Sequence, residues 1–284
     1  MNNIYKPYLM TITEIIPETY DTFTLKLEFQ DEALWNSFDF QPGQFGMFSV
    51  FGAGESTFCI SSSPTRLPRW NQGKGYLECT FRKVGHVTKS LANLEVGDTI
   101  GFRGPYGNSF PMAEFKGKNI VFVGGGIGLA PLRSAIWYCL DKRDQFSDIT
   151  IVYGARTVPD LVYKQEIKEW EKRSDIRLVK TVDPGCDTEG WDGKVCLAPI
   201  AFGDVAPSST NAVGLVCGPP IMIKFTLPVF DKLGFPPDKV YTTLENRMKC
   251  GLGKCGRCNV GNVYICKEGP VFTAAQLKTL PAEY

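Results

Sequence analysis

Four cysteines fall close together in the last part of the chain, in the pattern Cys250-x4-Cys255-x2-Cys258-x7-Cys266. The first three follow the C-x4-C-x2-C spacing of plant-type two-iron ligation, with a fourth cysteine further on. Four thiolates converging on a [2Fe–2S] cluster need backbone that bends around it, and interleaved glycines, Gly251 and Gly253 among them, allow this. Lys249, Lys254 and Arg257 add positive charge that favours the reduced cluster. Zinc and unligated thiols are the alternatives. Zinc sites more often show two C-x2-C pairs or added histidines. Here there is one such pair, and the single histidine, His86, is far away in sequence. Cys59, Cys79, Cys139, Cys186, Cys196 and Cys217 are scattered, as buried thiols are, and do not suggest a disulfide framework.

A second chemical signature is the run from Ile120 to Pro131, four apolar residues followed by Gly-Gly-Gly-Ile-Gly-Leu-Ala-Pro. It reads as a buried strand, a glycine turn and a helix start. Gly125, Gly126 and Gly128 let backbone approach a nucleotide phosphate, and the helix N-terminus faces the anion with partial positive charge. Pro131 suits the first helical turn. The run departs from G-x-G-x-x-G, since Pro131 stands where the third glycine would be, and a strand–helix connection without ligand is the alternative. A second turn, Cys217-Gly218-Pro219-Pro220, follows the apolar run Val213–Val216. In a parallel sheet both turns would lie at the carboxyl ends of strands, where ligands bind.

These residues need a scaffold. Residues 1–112 predict an antiparallel barrel or sandwich. Alternating runs at Thr22–Phe29, Gln44–Phe51, Tyr76–Arg82 and Thr99–Arg103 are separated by Pro42-Gly43, Gly73-Lys74-Gly75, Gly97-Asp98 and Gly104-Pro105. Residues 113–244 predict a doubly wound parallel-sheet α/β domain. Ile120–Val123, Ile149–Tyr153 and Val213–Cys217 are apolar without alternation, and Leu132–Lys142 and Val162–Lys172 are helical. Residues 245–284 form a cluster-binding segment and tail, too short for a core of its own. A formal net charge of +1 among 284 residues gives no reason to expect nucleic acid or a membrane surface as partner. No run approaches the length of a membrane span, and the start lacks the pattern of a signal peptide, so a cytoplasmic protein is expected.

With these motifs in this order, the chain resembles the ferredoxin–NADP reductase superfamily, in which a β-barrel binds FAD and an α/β domain binds NAD(H) or NADP(H). The run from Glu245 to Gly261, closing in Cys266-Lys-Glu-Gly-Pro-Val-Phe272, resembles a narrower group with a C-terminal [2Fe–2S] cluster. That group includes gamma subunits of cytosolic sulfhydrogenases, the corresponding subunit of anaerobic sulfite reductase and the dihydroorotate dehydrogenase electron-transfer subunit. The resemblance implies that Thr57, Phe58 and Cys59 contact the isoalloxazine ring. It places Thr80, Phe81 and Arg82 on the strand beside the ribityl and phosphate region, and Val87 and Thr88 in the pyrophosphate turn. It implies that Gly125, Gly126 and Gly128 bind the nucleotide phosphates. Gly218, Pro219 and Met222 would lie beside the nicotinamide, with Cys217 at the hydride-transfer site as an orienting group. Where the superfamily has R-x-Y-S, this chain has Ser56, Phe58 and Cys59 in place of the arginine, tyrosine and serine. Arg82 could compensate for the lost charge toward the FAD phosphates, and a thiol replaces the hydroxyl expected near flavin N5. Arg156, after the second α/β strand, could meet a 2′-phosphate or be a solvated loop arginine.

The expected function is electron transfer among NAD(P)H, FAD and the cluster in the service of other redox subunits: hydrogenase-like, sulfite-reductase-like or bifurcating. The alternatives are a self-contained NAD(P)H:ferredoxin oxidoreductase, a dihydroorotate dehydrogenase-type subunit, and a redox-sensing module without turnover.

Overall fold

The alternating runs of the first third build a six-stranded antiparallel sheet. Its strands are β1 (Tyr8–Pro17), β2 (Thr22–Phe29), β3 (Phe45–Val50), β4 (Gly54–Cys59), β5 (Leu77–Arg82) and β6 (Thr99–Tyr106), in the order β4-β3-β6-β1-β2-β5. The computed structural model describes residues 3–73 and 75–281. Lys74, in the expected Gly73-Lys74-Gly75 turn, and the last three residues of the expected tail therefore lie outside the described residues. Beyond β4 the chain bends across to β5, where the Ser61 N–H donates to the Glu78 carbonyl at 2.9 Å, bringing the two ends of the sheet together as a barrel. Inward-facing Leu25, Leu27, Phe29, Phe48, Phe81 and Phe102 form the barrel core. Two short helices, α1 (Glu32–Ser37) and α2 (His86–Leu91), lie in the connections. The sequence reading missed β1 and β4 as strands and took the α2 region for a turn.

The chain divides into two units. The first holds everything up to Phe110 together with Arg133–Tyr138 and Leu244–Pro270, and the remainder forms the second. Within the first unit, Arg133 donates to the Glu78 carboxylate at 2.6 Å and to the Ser61 carbonyl at 3.0 Å, all in buried surroundings. Removing one partner of a buried pair strands the other charge. Glu78→Ala is therefore expected to lower stability by roughly 3–5 kcal/mol. A urea midpoint equal to that of the wild type would contradict this.

In the second unit the unbroken apolar runs form strands buried on both faces, as parallel sheets require. They are β7 (Asn119–Gly125), β8 (Ile149–Ala155) and β11 (Ala212–Cys217), flanked by the more exposed outer strands β9 (Arg177–Val182) and β10 (Lys194–Val195) on one side and by β12 (Val240–Thr243) on the other. Helices α3 (Leu129–Asp141), α4 (Lys164–Glu171), α5 (Ala198–Val205) and α6 (Pro220–Lys232) connect them. The sheet order is β10-β9-β8-β7-β11-β12, with one more strand at the edge. From β7 the chain steps outward through β8 and β9, then returns to the other side of β7 as β11. The direction reverses between β7 and β11, which makes the carboxyl ends of those two strands the ligand crevice of such a sheet.

The cysteine segment contains β13 (Asn259–Val260), β14 (Val263–Tyr264) and α7 (Ile265–Glu268) and belongs to the first unit. Residues from Val271 on do not stay with it, contrary to the sequence reading of 245–284 as one piece. Strand β15 (Val271–Thr273) pairs antiparallel with β12, and α8 (Ala274–Leu277) follows in the second unit. The apolar Val271 and Phe272 gain burial by joining the sheet edge. Among the described residues, no helix is long and apolar enough to cross a membrane.

Candidate functional site: a cysteine loop, a barrel face and a nucleotide crevice

The four clustered cysteines are brought together as two pairs. Cys258 Sγ and Cys266 Sγ are 3.3 Å apart, and both residues are buried. Cys250 interacts with Cys255, and the N–H groups of Leu252 and Lys254 point at Cys250 Sγ from 3.4 and 3.3 Å. The N–H of Gly253 points at Cys266 Sγ from 3.1 Å. Burial opposes ionisation of Cys250, but the amides of Leu252, Cys255 and Lys254 outweigh it and bring the thiol down to about 6. Burial and the Cys258 thiol push Cys266 up to about 12. Among the described residues no three His, Cys, Asp or Glu side chains are gathered as a single-ion set. Two pairs of thiols, ringed by amides that stabilise thiolate charge, suit a two-iron centre in which two cysteines hold each iron. The residues present fit the cluster that the spacing implied.

Gly251 shows why the loop needs glycine. Its φ is +74°, and a Cβ there would stand 2.6 Å from the Tyr106 ring. The loop can therefore lie directly on β6. Three of the cysteines are buried, whereas Cys255 is exposed among exposed Lys254 and Arg257, with Lys249 exposed nearby in sequence.

On the barrel, Thr57, Phe58 and Cys59 lie along β4, each half-buried. Thr57 donates to Met47 Sδ at 3.0 Å, and Phe58 stacks its ring near Phe48 and Phe81 at centroid distances of 5.8 Å each. The three β5 residues face different ways. Thr80 is buried, its hydroxyl bonded to Thr24 at 2.8 Å and Ser61 at 3.2 Å, and Phe81 stacks on Phe23 in the core. Strand alternation turns Arg82 outward, where it pairs with Asp21 at 3.4 Å. Thr88 holds the turn together. Its hydroxyl accepts from the N–H groups of Val84 and Gly85 at 3.0 and 2.8 Å and donates to the Gly85 carbonyl at 3.1 Å. It shapes the turn, which leaves the opening amides of α2, at His86 and Val87, as the donors a diphosphate would meet. A Cβ on Gly54 would stand 3.3 Å from the Val87 side chain, so this turn lies beside β4. A half-covered strand beside a turn of helix-opening amides fits a flavin and its diphosphate.

In the second unit, Cys217 pairs in register with Gly124, so the two expected turns are neighbours. A Cβ on Gly128 would fall 2.5 Å from Gly218 Cα and 2.6 Å from its nitrogen, and Met222 Sδ fills the space above Gly125. Gly125, Gly126, Gly128, Gly218, Pro219 and Met222 thus share the crevice at the β7–β11 reversal. Tyr153, which sequence reading passed over as a strand residue, braces it. Its hydroxyl donates to the Gly126 carbonyl at 3.2 Å and accepts from the Val162 N–H at 3.0 Å. Thr243, also unanticipated, lies with its hydroxyl 3.0 Å from Cys217 Sγ. The glycine crevice fits a dinucleotide phosphate. Arg156 is exposed at the carboxyl end of β8, with electrostatic reach to Asp183, whose carboxyl is pushed up by burial against the pull of that arginine.

Comparison with known proteins agrees with these three parts. Residues 122–227 match the oxidoreductase NAD-binding domain family, and residues 245–278 match the iron-sulfur cluster binding domain of dihydroorotate dehydrogenase B. The chain is 38% identical to the sulfhydrogenase 2 gamma subunit of Pyrococcus furiosus, over 95% of this chain and 96% of that one. It is 32% identical to a protein of Methanocaldococcus jannaschii called a probable dihydroorotate dehydrogenase B (NAD(+)) electron transfer subunit, over 96% of this chain and 92% of that one. The fold matches that of an NADH-dependent reduced ferredoxin–NADP oxidoreductase studied for flavin-based electron bifurcation. The TM-score is 0.69 at 24% identity, covering 100% of this chain and 95% of the other. The chain belongs to the family of the sulfhydrogenase gamma subunits and the dihydroorotate dehydrogenase electron-transfer subunits.

Proposed function

We propose that this chain is the nucleotide-facing electron-transfer subunit of a larger redox enzyme, linking NAD(P)H, FAD and a [2Fe–2S] cluster. The observation that carries the reading is the placement of the cysteine loop against Tyr106 on β6 and Met47 on β3, the strand next to β4, with one cysteine left at the surface. When bound, the flavin supplies the exchange between a two-electron hydride donor and a one-electron acceptor.

The protein supplies position and charge. The glycine crevice and the start of α3 hold the nucleotide phosphates. Cys217, fixed by Thr243, orients the nicotinamide and does not act as a nucleophile. Thr57, Phe58 and Cys59 line the flavin, and the β5 residues Thr80 and Phe81 support it from inside the barrel. Arg82 and the turn at Val87 and Thr88 are placed toward its phosphates. Cys250, Cys255, Cys258 and Cys266 hold the cluster. The exposed basic residues around Cys255 suit an electron-transfer partner with an acidic surface. A cytoplasmic setting goes with this reading.

Arg156 is assigned to the 2′-phosphate. Arg156→Ala is expected to weaken NADPH relative to NADH by roughly tenfold or more, the worth of one charge-assisted contact. An unchanged affinity ratio would remove that role.

Anaerobic purification with native companions, followed by metal and cofactor analysis, tests the subunit reading. Nickel in the assembly would identify a hydrogenase partner, and sirohaem a sulfite-reducing one. A chain that purifies alone and turns over with free ferredoxin would contradict the reading and favour a self-contained oxidoreductase.

A further inference from the structure

Across the barrel, three residues stand in register in one row: Thr57 on β4, Met47 on β3 and Arg103 on β6. Residues in register across neighbouring strands share a face. The row therefore runs from the strand assigned to the flavin to the strand beneath the cysteine loop. At its end Arg103 is only 5% exposed. Its Nε and Nη2 donate to the two oxygens of Glu55 at 2.9 and 2.5 Å. Nη1 turns the other way, donating to the Tyr106 hydroxyl at 3.2 Å and to the Cys250 carbonyl at 3.3 Å. Tyr106 is also the ring against which Gly251 packs.

With Arg103 buried and Glu55 partly exposed, the ion pair is a weak source of stability. What the pair supplies here is orientation. The fork bonds to Glu55 lock the guanidinium, and the remaining donor grips the backbone of the first cysteine. The positive end of the pair faces Cys250, and the carboxylate stands on the far side.

We propose that the Arg103–Glu55 pair is the positioning and tuning element of the cysteine loop: it anchors Cys250 and sets the potential at which the two-iron site accepts its electron. The proposal rests on the reading of the four cysteines as cluster ligands. One-electron reduction makes the cluster one unit more negative. A fixed cation beside a ligand in buried surroundings favours that change, and a carboxylate beside it opposes the change.

The two halves of the pair therefore act with opposite signs. In the full chain, reconstituted without oxygen, Arg103→Gln leaves the carboxylate unbalanced and is expected to shift the cluster potential to more negative values. Glu55→Gln leaves the cation unbalanced and is expected to shift it to more positive values. Arg103→Lys keeps the charge and is expected to stay near the wild type. Iron content and an equilibrium redox titration followed by electron paramagnetic resonance supply the readouts. Shifts of the same sign in the two glutamine variants, or no shift with full iron, would overturn the proposal. If Arg103→Gln takes up no iron, the sign of Glu55→Gln relative to Arg103→Lys decides. Absence of iron from the wild type would instead overturn the cluster reading on which the proposal rests.

Discussion

A Cys258→Ser chain, purified without oxygen, is expected to fall from roughly two irons per molecule to near zero. Cys258 and Cys266 are both buried with their sulfurs 3.3 Å apart, and the Ile265 N–H donates to the Cys258 carbonyl at 3.1 Å. Among the described residues no third His, Cys, Asp or Glu side chain is gathered with this pair to replace a lost thiolate, and the other two clustered cysteines form the second pair. A hydroxyl ionises far less readily than a thiol, so serine cannot restore the charge that holds iron. The barrel has its own aromatic core, so the variant should remain folded with its flavin absorbance intact. Cys139→Ala serves as the control. Its thiol is buried inside the second unit, pushed up by burial, and should leave the iron content unchanged. Full iron in Cys258→Ser would remove that residue from the ligand set.

The second large effect is expected from Gly128→Ala. The added methyl would meet Gly218 Cα at 2.5 Å, Gly218 nitrogen at 2.6 Å and the Cys217 carbonyl carbon at 2.8 Å. All three are backbone atoms, so no side chain can turn aside, and the glycine turn must separate from the Cys-Gly-Pro turn. Overpacking of this kind costs about 1–3 kcal/mol in stability. Its larger consequence is misplacement of the nucleotide, where an error of about 1 Å lowers a rate on the order of 100-fold. Flavin bleaching by NADH in a rapid-mixing experiment should slow by that factor, while the iron content stays at the wild-type level. An unchanged bleaching rate would show that the two turns do not form the nucleotide site together.

Much of this architecture was legible in the residues. The uninterrupted apolar runs at Ile120–Val123, Ile149–Tyr153 and Val213–Cys217 appear as β7, β8 and β11, because strands covered on both faces need apolar residues at every position. The cysteine spacing and both glycine turns likewise pointed to their neighbours in space. Strand β4 was harder to see. Its residues, Gly-Glu-Ser-Thr-Phe-Cys, show no alternation of polar and apolar type, and most are half-buried. The short Val271–Thr273 strand carried too few residues to reveal its return to the sheet. That the Thr88 hydroxyl is held by the Val84 and Gly85 amides is a local detail of the turn that residue type alone does not reveal. The least legible feature was the Arg103 network. Its partners Glu55 and Cys250 lie 48 and 147 positions away; the register of β4, β3 and β6 brings Glu55 near, and the packing of the cysteine loop on β6 brings Cys250.

One chain is expected to carry electrons from a nicotinamide nucleotide through a flavin to a two-iron cluster. The most direct test is to add NADH or NADPH anaerobically to the purified chain loaded with FAD and iron, then follow flavin absorbance and the cluster's paramagnetic resonance in the same sample. One of the nucleotides is expected to bleach the flavin, with a reduced-cluster signal appearing in the wild type and missing from Cys258→Ser. A bleached flavin with a cluster that remains oxidised when its potential lies within reach of the nucleotide would contradict it.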